Sequence, residues 1–335
     1  MKVAIFFSAW LCVLLSCKPE IKNTLRISGK AQGTTYNITY LAGSHSNYRP
    51  EFDSIFQSID RSLSTYDASS IISKMNSNDT NVVADGFFSA VFVKALEVSG
   101  KTNGLFDVTV APLVNIYGFG FTQREKVSQA LIDSLLPLVG YKKVRLVNGK
   151  LVKDNPQIMI DFNAIAQGYT VDVLSAFLDE KGISDYLVEL GGELKAKGKR
   201  LDGSYWSVGI EQPDENNTDA AALSTTLTVK DRALATSGNY KRFYSEEGKK
   251  YSHILDPFTG YPAKNNLLSA TVVAENCMTA DAYATAFMVM GLEGARQFLK
   301  ANKDLGLEVI FIYDEQGKWK TWKSEKLHET IEIVK

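Results

Sequence analysis

Apolar residues recur along this chain with two different periods, and the switches between period two and helical spacing mark out its elements. Tyr36, Ile38 and Tyr40 alternate with polar residues after Gly33, which predicts a half-buried strand. Phe52, Ile55, Phe56, Ile59 and Leu63 follow helical spacing after Pro50 and predict an amphipathic helix. A second helix carries Phe88, Val91, Phe92, Ala95 and Leu96 and stops near Gly100. Val144 to Val152 reads as a β-hairpin about Asn148-Gly149, a dipeptide that tolerates a type I′ turn. A short strand into Asp161, a helix from about Asn163 to Lys181 closed by Gly182, and a strand from Tyr186 to Leu190 come next. Asp214 to Asp219 is a polar surface loop. Several strands follow it, then helices near 279–290 and 293–302 and a closing strand pair around Asp314 to Gly317. Helices are interspersed with hairpins and do not alternate with parallel strands, so the predicted class is α+β. The expected form is a single large two-lobed domain with mixed, largely antiparallel sheets and packed helices.

The amino end departs from this pattern. Met1-Lys2 precedes an apolar run from Val3 to Leu15, too short for the roughly 20 residues of a spanning helix. A charged start, this run and a small-residue step make a secretory signal. Its ending, Leu14-Leu15-Ser16-Cys17, resembles a bacterial lipobox, which implies cleavage before Cys17 and lipid on its sulfur; the alternative is an ordinary signal with an incidental cysteine. The expected organisation is a signal over residues 1–16, a lipid-anchored tether over 17–23 and one catalytic domain over 24–335. The expected location is the extracytoplasmic (periplasmic) side of a bacterial membrane, with several acyl chains holding the domain there.

Composition adds little beyond exclusions. Of three cysteines, Cys12 lies in the signal and Cys17 would carry lipid, so Cys277 has no intramolecular disulfide partner. A formal net charge of −1 argues against nucleic-acid binding. Lys195, Lys197, Lys199 and Arg200 are the main basic cluster, and their period of two reads as the solvent face of a strand.

Several stretches could carry chemistry. Asp281 and Thr285, four apart on a small-residue helix, project from one face and could reach the same hard cation. The plainer interpretation makes Thr279 an N-cap, Asp281 a carboxylate favoured by the helix dipole and Thr285 a back-bonded threonine. Asp161-Phe162-Asn163-Ala164-Ile165-Ala166-Gln167-Gly168-Tyr169 is a strand-to-helix junction whose free backbone groups could meet a phosphate or a metal, or where Asn163 is merely a cap. His253, in Ser252-His253-Ile254-Leu255-Asp256-Pro257-Phe258-Thr259-Gly260, stands beside a turn and is more often structural than catalytic. Gly104 to Val110 and Val188 to Gly192 read as strand-like pieces with glycine at an end.

Taken together, these segments resemble the ApbE-like FAD:protein FMN transferase family of lipoproteins, from about Gly33 to about Gly291. The motifs, in order, are S-T-Y-D at 64–67, G-L-F-D-V-T-V with A-P-L-V-N-I-Y-G-F-G to Gly120, I-D-F-N-A-I-A-Q-G-Y, V-E-L-G-G, A-T-S-G-N-Y at 235–240, S-H-I-L-D-P-F-T-G and T-A-D-A-Y-A-T. The resemblance implies that Tyr66, Leu105, Phe106 and Asp107 hold the ends of FAD, that Asp161 and Gln167 contact the dinucleotide and that Ile254 lines the flavin site. It implies a Mg2+ ion held by the Ala164 backbone carbonyl, Asp281 and Thr285. Asn163-Ala164 and Gln167 depart from the small and charged residues that many members carry there, and Gln32 stands where methionine is frequent. The implied reaction is attack by a threonine hydroxyl of an acceptor redox subunit on the FMN-side phosphorus of FAD, with AMP leaving. Asp281 and His253 are both candidates for the proton acceptor. An FAD pyrophosphatase, or a flavin-binding lipoprotein without catalysis, would use the same binding groups.

Overall fold

The computed structural model describes residues 22–43, 46–120, 127–212, 222–238, 243–246, 249–252, 254–327 and 331–334. The lipobox, His253, and the Asn239 and Tyr240 of A-T-S-G-N-Y lie outside them.

The chain opens with an antiparallel hairpin, β1 (Asn23–Ala31) and β2 (Thr34–Ala42), turned at Gln32-Gly33, where both residues have positive φ. Helix α1 (Arg49–Leu63) starts with Pro50 in its first turn and buries Phe52, Phe56, Ile59 and Leu63, as its spacing predicts. Two more helices follow, α2 (Ile71–Asn76) and α3 (Gly86–Lys101), capped by Ser70 and Asp85. Segment 104–110 is not a strand. The Asp107 side chain accepts from Thr109 N–H and starts a short 3₁₀ turn over Val108–Val110, and α4 (Ala111–Ile116) continues from it with Pro112 in its first turn. Helix α5 (Gln129–Leu135) then leads to the hairpin of β3 (Val144–Val147) and β4 (Lys150–Lys153), with Asn148 and Gly149 both at positive φ.

Residues 158–162 are extended but pair with no strand. Their hydrogen bonds go to a side chain and a loop: Asn76 brackets both backbone groups of Ile160 at 2.8 Å, and Asp161 N–H donates to the Val108 carbonyl at 2.8 Å. The helix expected from Asn163 begins at Ala166 (α6, Ala166–Glu180), because Asn163 folds back onto Asp161 and does not cap it.

Strands β5 (Tyr186–Leu190), β6 (Glu193–Lys197), β7 (Trp206–Gln212), β8 (Ala222–Val229), β9 (Ala233–Gly238), β10 (Phe243–Glu246), β11 (Lys249–Ser252) and β12 (Leu267–Ala274) follow. The long helix α7 (Cys277–Ala301) and strands β13 (Glu308–Glu315), β14 (Lys318–Lys323) and β15 (Ile331–Val334) complete the order. The two helices expected here are one element kinked at Gly291 (φ 70°); Asn265 Nδ2 takes the Met288 carbonyl at 2.9 Å, and a Cβ on Gly291 would meet Asn265 at 3.0 Å.

Eight strands form one antiparallel sheet in the order β1-β2-β5-β6-β9-β12-β13-β14. One face is covered by helices: Tyr36, Ile38, Tyr40 and Val188 pack on Phe52 and Phe56 of α1 and Leu174 of α6, and Val272, Val309 and Phe311 pack on α7. The opposite face is covered only in part by the sheet β15-β8-β7, through Trp206, Leu227, Val229 and Ile331 against Leu194, Leu234 and Val273. This is the α+β antiparallel class expected from the hairpins. Lys195 and Lys197 correct one expectation. They lie on the helix side of β6 and pair with Asp172 and Asp179 of α6, while Leu194 and Ala196, alternating with them, are buried under the small sheet. Among the described residues no helix is long and apolar enough to cross a membrane.

Candidate active site

The amino ends of α6 and α7 meet at Gly168. A Cβ there would come within 2.5 Å of the Cys277 carbonyl oxygen and 2.7 Å of Asp281 Cβ, so only glycine permits this approach. The contact lets Gly168 N–H donate to Asp281 Oδ2 at 3.0 Å. Four residues back stands Ala164, and among the described residues no backbone N–H is bonded to its carbonyl. Asp281 is 6% exposed, and burial pushes its carboxyl up to about 7 despite the Gly168 hydrogen bond, with Asp172 adding to the rise. One helical turn on, Thr285 is half-buried and lies 3.1 Å from the Ser237 hydroxyl of β9. Asp281 and Thr285 thus stand one turn apart on α7, as their spacing predicts, Asp281 against the start of α6 and Thr285 against β9.

Two of the plainer roles at the start of α7, the Thr279 cap and the dipole-favoured Asp281, are corrected. Asn276, not Thr279, caps it, accepting from Thr279 N–H at 2.9 Å. The carboxylate of Asp172, from α6, takes the N–H groups of Cys277 (2.9 Å) and Met278 (2.8 Å).

The other implied residues lie on the loops beside this junction. Asp107 is buried and fully engaged: Oδ1 accepts from Thr109 N–H (2.8 Å) and Oγ1 (2.6 Å), and Oδ2 accepts from Tyr141 N–H (2.7 Å). Burial raises its carboxyl, and these bonds pull it back down. Asp161 is tied to the same segment through Val108; burial pushes it up to about 6, opposed by Asn163 N–H (2.6 Å) and Nδ2 (3.0 Å). Phe106, Ile254 and the residues flanking Asp161 belong to one apolar cluster, and Leu105 is half-buried at its edge. Tyr66 is 65% exposed, and Phe258 is 61% exposed, packed over Gly104.

Gln167 reaches the β1–β2 turn, where Nε2 donates to the Gln32 carbonyl at 3.4 Å. Gln32 Nε2 donates to Thr170 Oγ1 at 3.0 Å, and a cavity of about 470 Å³ opens between Lys30 and Thr35. Sequence reasoning missed the part Gln32 plays in joining β1 to α6. Its left-handed backbone (φ 50°) beside a glycine was the only local signal. Ser237, Asn76 and Asp172 were also missed, and their partners are distant in sequence. Among the described residues no three His, Cys, Asp or Glu side chains gather as a metal site. The implied ligand set holds only one such side chain, beside a hydroxyl and a carbonyl.

The model of the ApbE family matches residues 32–311. The chain belongs to the ApbE family. It is similar to FAD:protein FMN transferase of Vibrio cholerae, 34% identical over 94% of this chain and 95% of that protein, and to the Escherichia coli K12 protein of the same name, 30% identical over 96% and 95%. Among solved structures it resembles the flavin transferase ApbE of Vibrio cholerae with a TM-score of 0.83 and 32% identity, covering 92% of this chain and 100% of that one. The apo flavinyl transferase ApbE of Pseudomonas stutzeri gives 0.81 and 29%, covering 92% and 97%. The ApbE motifs fall where the two helix starts and the 104–110 loop converge.

Proposed function

We propose that this chain transfers the FMN moiety of FAD to a threonine hydroxyl of an acceptor redox subunit, releasing AMP, with a divalent cation such as Mg2+ bound at the α6–α7 junction. The observation that carries this reading is the buried Asp281 carboxyl, raised to about 7 and bonded to Gly168 N–H where α6 meets α7. A buried carboxylate with so few donors is costly alone and suits a cation. Asp281, the Thr285 hydroxyl and the Ala164 carbonyl are hard oxygen donors, the type that Mg2+ takes in small numbers while phosphates complete its shell. The cation would neutralise charge on the pyrophosphate.

The chain's own residues do the rest. The loop held by Asp107 and the segment held by Asn76 carry Phe106 and Asp161, which with Ile254 would bind the dinucleotide, and Tyr66 offers an exposed ring. Gln167 and Gln32 close the side toward β1. In the transfer the acceptor oxygen bonds to the FMN-side phosphorus, the pyrophosphate P–O bond breaks, and AMP carries away the leaving oxygen. Such a displacement requires alignment above all, and rigid helix starts supply it. The lipobox-like Leu14-Leu15-Ser16-Cys17 supports a location on the extracytoplasmic side of a bacterial membrane, where an anchor through Cys17 would hold the enzyme near membrane-bound acceptors.

The test is intact-mass spectrometry of a threonine-bearing acceptor domain incubated with the chain, FAD and Mg2+, with AMP followed in parallel. A gain of one FMN that EDTA abolishes is the expected result. AMP and free FMN with an unlabelled acceptor would replace the transferase by a pyrophosphatase, and bound but uncleaved FAD would leave only a flavin carrier.

A further inference from the structure

On the side of the sheet away from the helices, the small sheet covers the face only in part and leaves Thr24 and Arg26 of β1 exposed. A groove of about 750 Å³ lies there, lined among others by Arg26, Arg200, Leu201, Asp202 and Trp206. Its rim is the turn Lys199–Gly203, held by Arg200 N–H to the Ser204 carbonyl (2.8 Å) and Gly203 N–H to the Arg200 carbonyl (2.9 Å). Leu201, at the tip, is 61% exposed. Cations flank it: Arg26 and Arg200 in the groove, and Lys199 and Lys230 over the Tyr205 ring, 5.0 and 5.6 Å from its centroid. The neighbouring acids are engaged by local donors, the exposed Asp202 by Ser204, the exposed Asp231 by Gly198 N–H and Asp185 by Lys199 N–H.

The same Asp185 carboxylate that accepts Lys199 N–H at 3.0 Å holds Lys22 Nζ at 2.9 Å. The start of β1 is therefore fastened directly beside the basic turn. Lys22 lies only five positions after Cys17, a reach of about 18 Å at full extension.

We propose that the turn Lys199–Gly203 docks on anionic lipid headgroups, with Leu201 entering the interface and Arg26, Lys199, Arg200 and Lys230 meeting lipid phosphates. The proposal rests on the anchor reading, because the short reach from Cys17 is what brings the turn to the bilayer. An exposed apolar tip ringed by cations and a tyrosine is the chemistry of a membrane interface, and a lipid chain gains firmness from a second, basic signal. Docking fixes which way the domain faces: the β1–β2–β5 outer face lies toward the lipid, and the helix-covered face lies away from it.

The experiment uses the mature chain with a nitroxide on Leu201→Cys, since Cys277 is buried. The labelled protein is placed in vesicles of phosphatidylcholine, with or without phosphatidylglycerol, and nitroxide access to oxygen and to a nickel chelate is compared. The expected result is lipid contact on the anionic vesicles only, reversed by high salt. In the Lys199→Ala, Arg200→Ala background the contact weakens about 25-fold, fivefold for each charge at about 1 kcal/mol. A nitroxide in water on both vesicles overturns the proposal, as does equal contact with both lipids or protection that appears only when acceptor protein is added. Intact mass of the purified chain reads Cys17 acylation separately. If lipid is absent the anchor reading fails, and the same nitroxide comparison on added vesicles still decides for or against the surface.

Discussion

Replacing Asp281 by asparagine separates what the fold gains from this side chain from what catalysis gains. In the folded chain its carboxyl stands at about 7 against an ordinary 3.8, chiefly through burial. The folded state thus holds the proton more tightly than the unfolded one, and stability falls as pH rises between those two values. At about 1.4 kcal/mol per pH unit, the charged carboxylate costs the fold about 4 kcal/mol above pH 7 and nothing below about pH 4. The Asp281→Asn variant carries no charge and keeps an oxygen for Gly168 N–H, but buries an amide at a cost of about 1–3 kcal/mol. A net gain of about 1–3 kcal/mol at pH 8 follows, or about 2–6 °C in Tm for a chain of this size.

The assay is thermal unfolding of both proteins in EDTA at pH 5 and pH 8. Asp161 titrates in both, so the difference between variant and parent reports Asp281 together with its repulsion of Asp172. The variant is expected to be the more stable protein at pH 8, to lose that lead at pH 5, and to be inactive throughout. Mg2+ should raise the Tm of the parent alone, by about 2.7 kcal/mol of stability at about a hundredfold excess over Kd. A variant no more stable than the parent at pH 8, or a difference that does not change with pH, would refute the argument that Asp281 is a strained, buried charge awaiting a cation.

Three further substitutions probe the frame around it. Gly168→Ala pushes α6 off α7, because its methyl meets the Cys277 carbonyl at 2.5 Å; a loss of about 2 kcal/mol or more in urea unfolding is expected, together with activity. Thr285→Ala removes a half-buried hydroxyl whose partner is the Ser237 hydroxyl, so stability should change by less than about 1 kcal/mol while Mg2+-dependent FMN transfer collapses in the mass assay. Asp107→Asn sets an amide N–H against the Tyr141 or Thr109 donors, and calorimetry should show weaker FAD binding with about 1–3 kcal/mol lost in stability.

The parts of this molecule that a sequence can disclose are those whose cause is local. Helix α1 was legible because Phe52, Phe56, Ile59 and Leu63 form one stripe and all four are buried. The Asn148-Gly149 hairpin was legible because its turn requires two positive φ values. Asp281 and Thr285 were placed on one helix face by spacing alone. The errors arose where a distant side chain takes over a backbone group. Residues 158–162 look like a strand, but the partner of Ile160 is Asn76, and nothing near either residue announces it. Lys195 and Lys197 alternate like solvent-facing residues, yet they meet carboxylates projected from α6. The loops that the family resemblance assigns to FAD could be named only from their motifs, since Asp107 is fixed by a backbone N–H thirty-four residues away.

The start of α7 shows why the helix dipole does not make Asp281 comfortable. The positive end of a helix stabilises a nearby carboxylate through N–H groups that lack partners. Here those of Cys277 and Met278 are already given to Asp172, and that of Thr279 to Asn276. Lys195 stands 3.6 Å from Asp172, so the nearest cation is also engaged one turn before the site. Asp281 is left with Gly168 N–H and with the repulsion of Asp172, and its carboxyl rises to about 7. A side chain held this way is poorly satisfied by the protein and well placed for a cation. The capping of α7 by α6 therefore does two things at once: it fixes the two helices at the spacing the site needs, and it withholds the charge that would otherwise compete for Asp281.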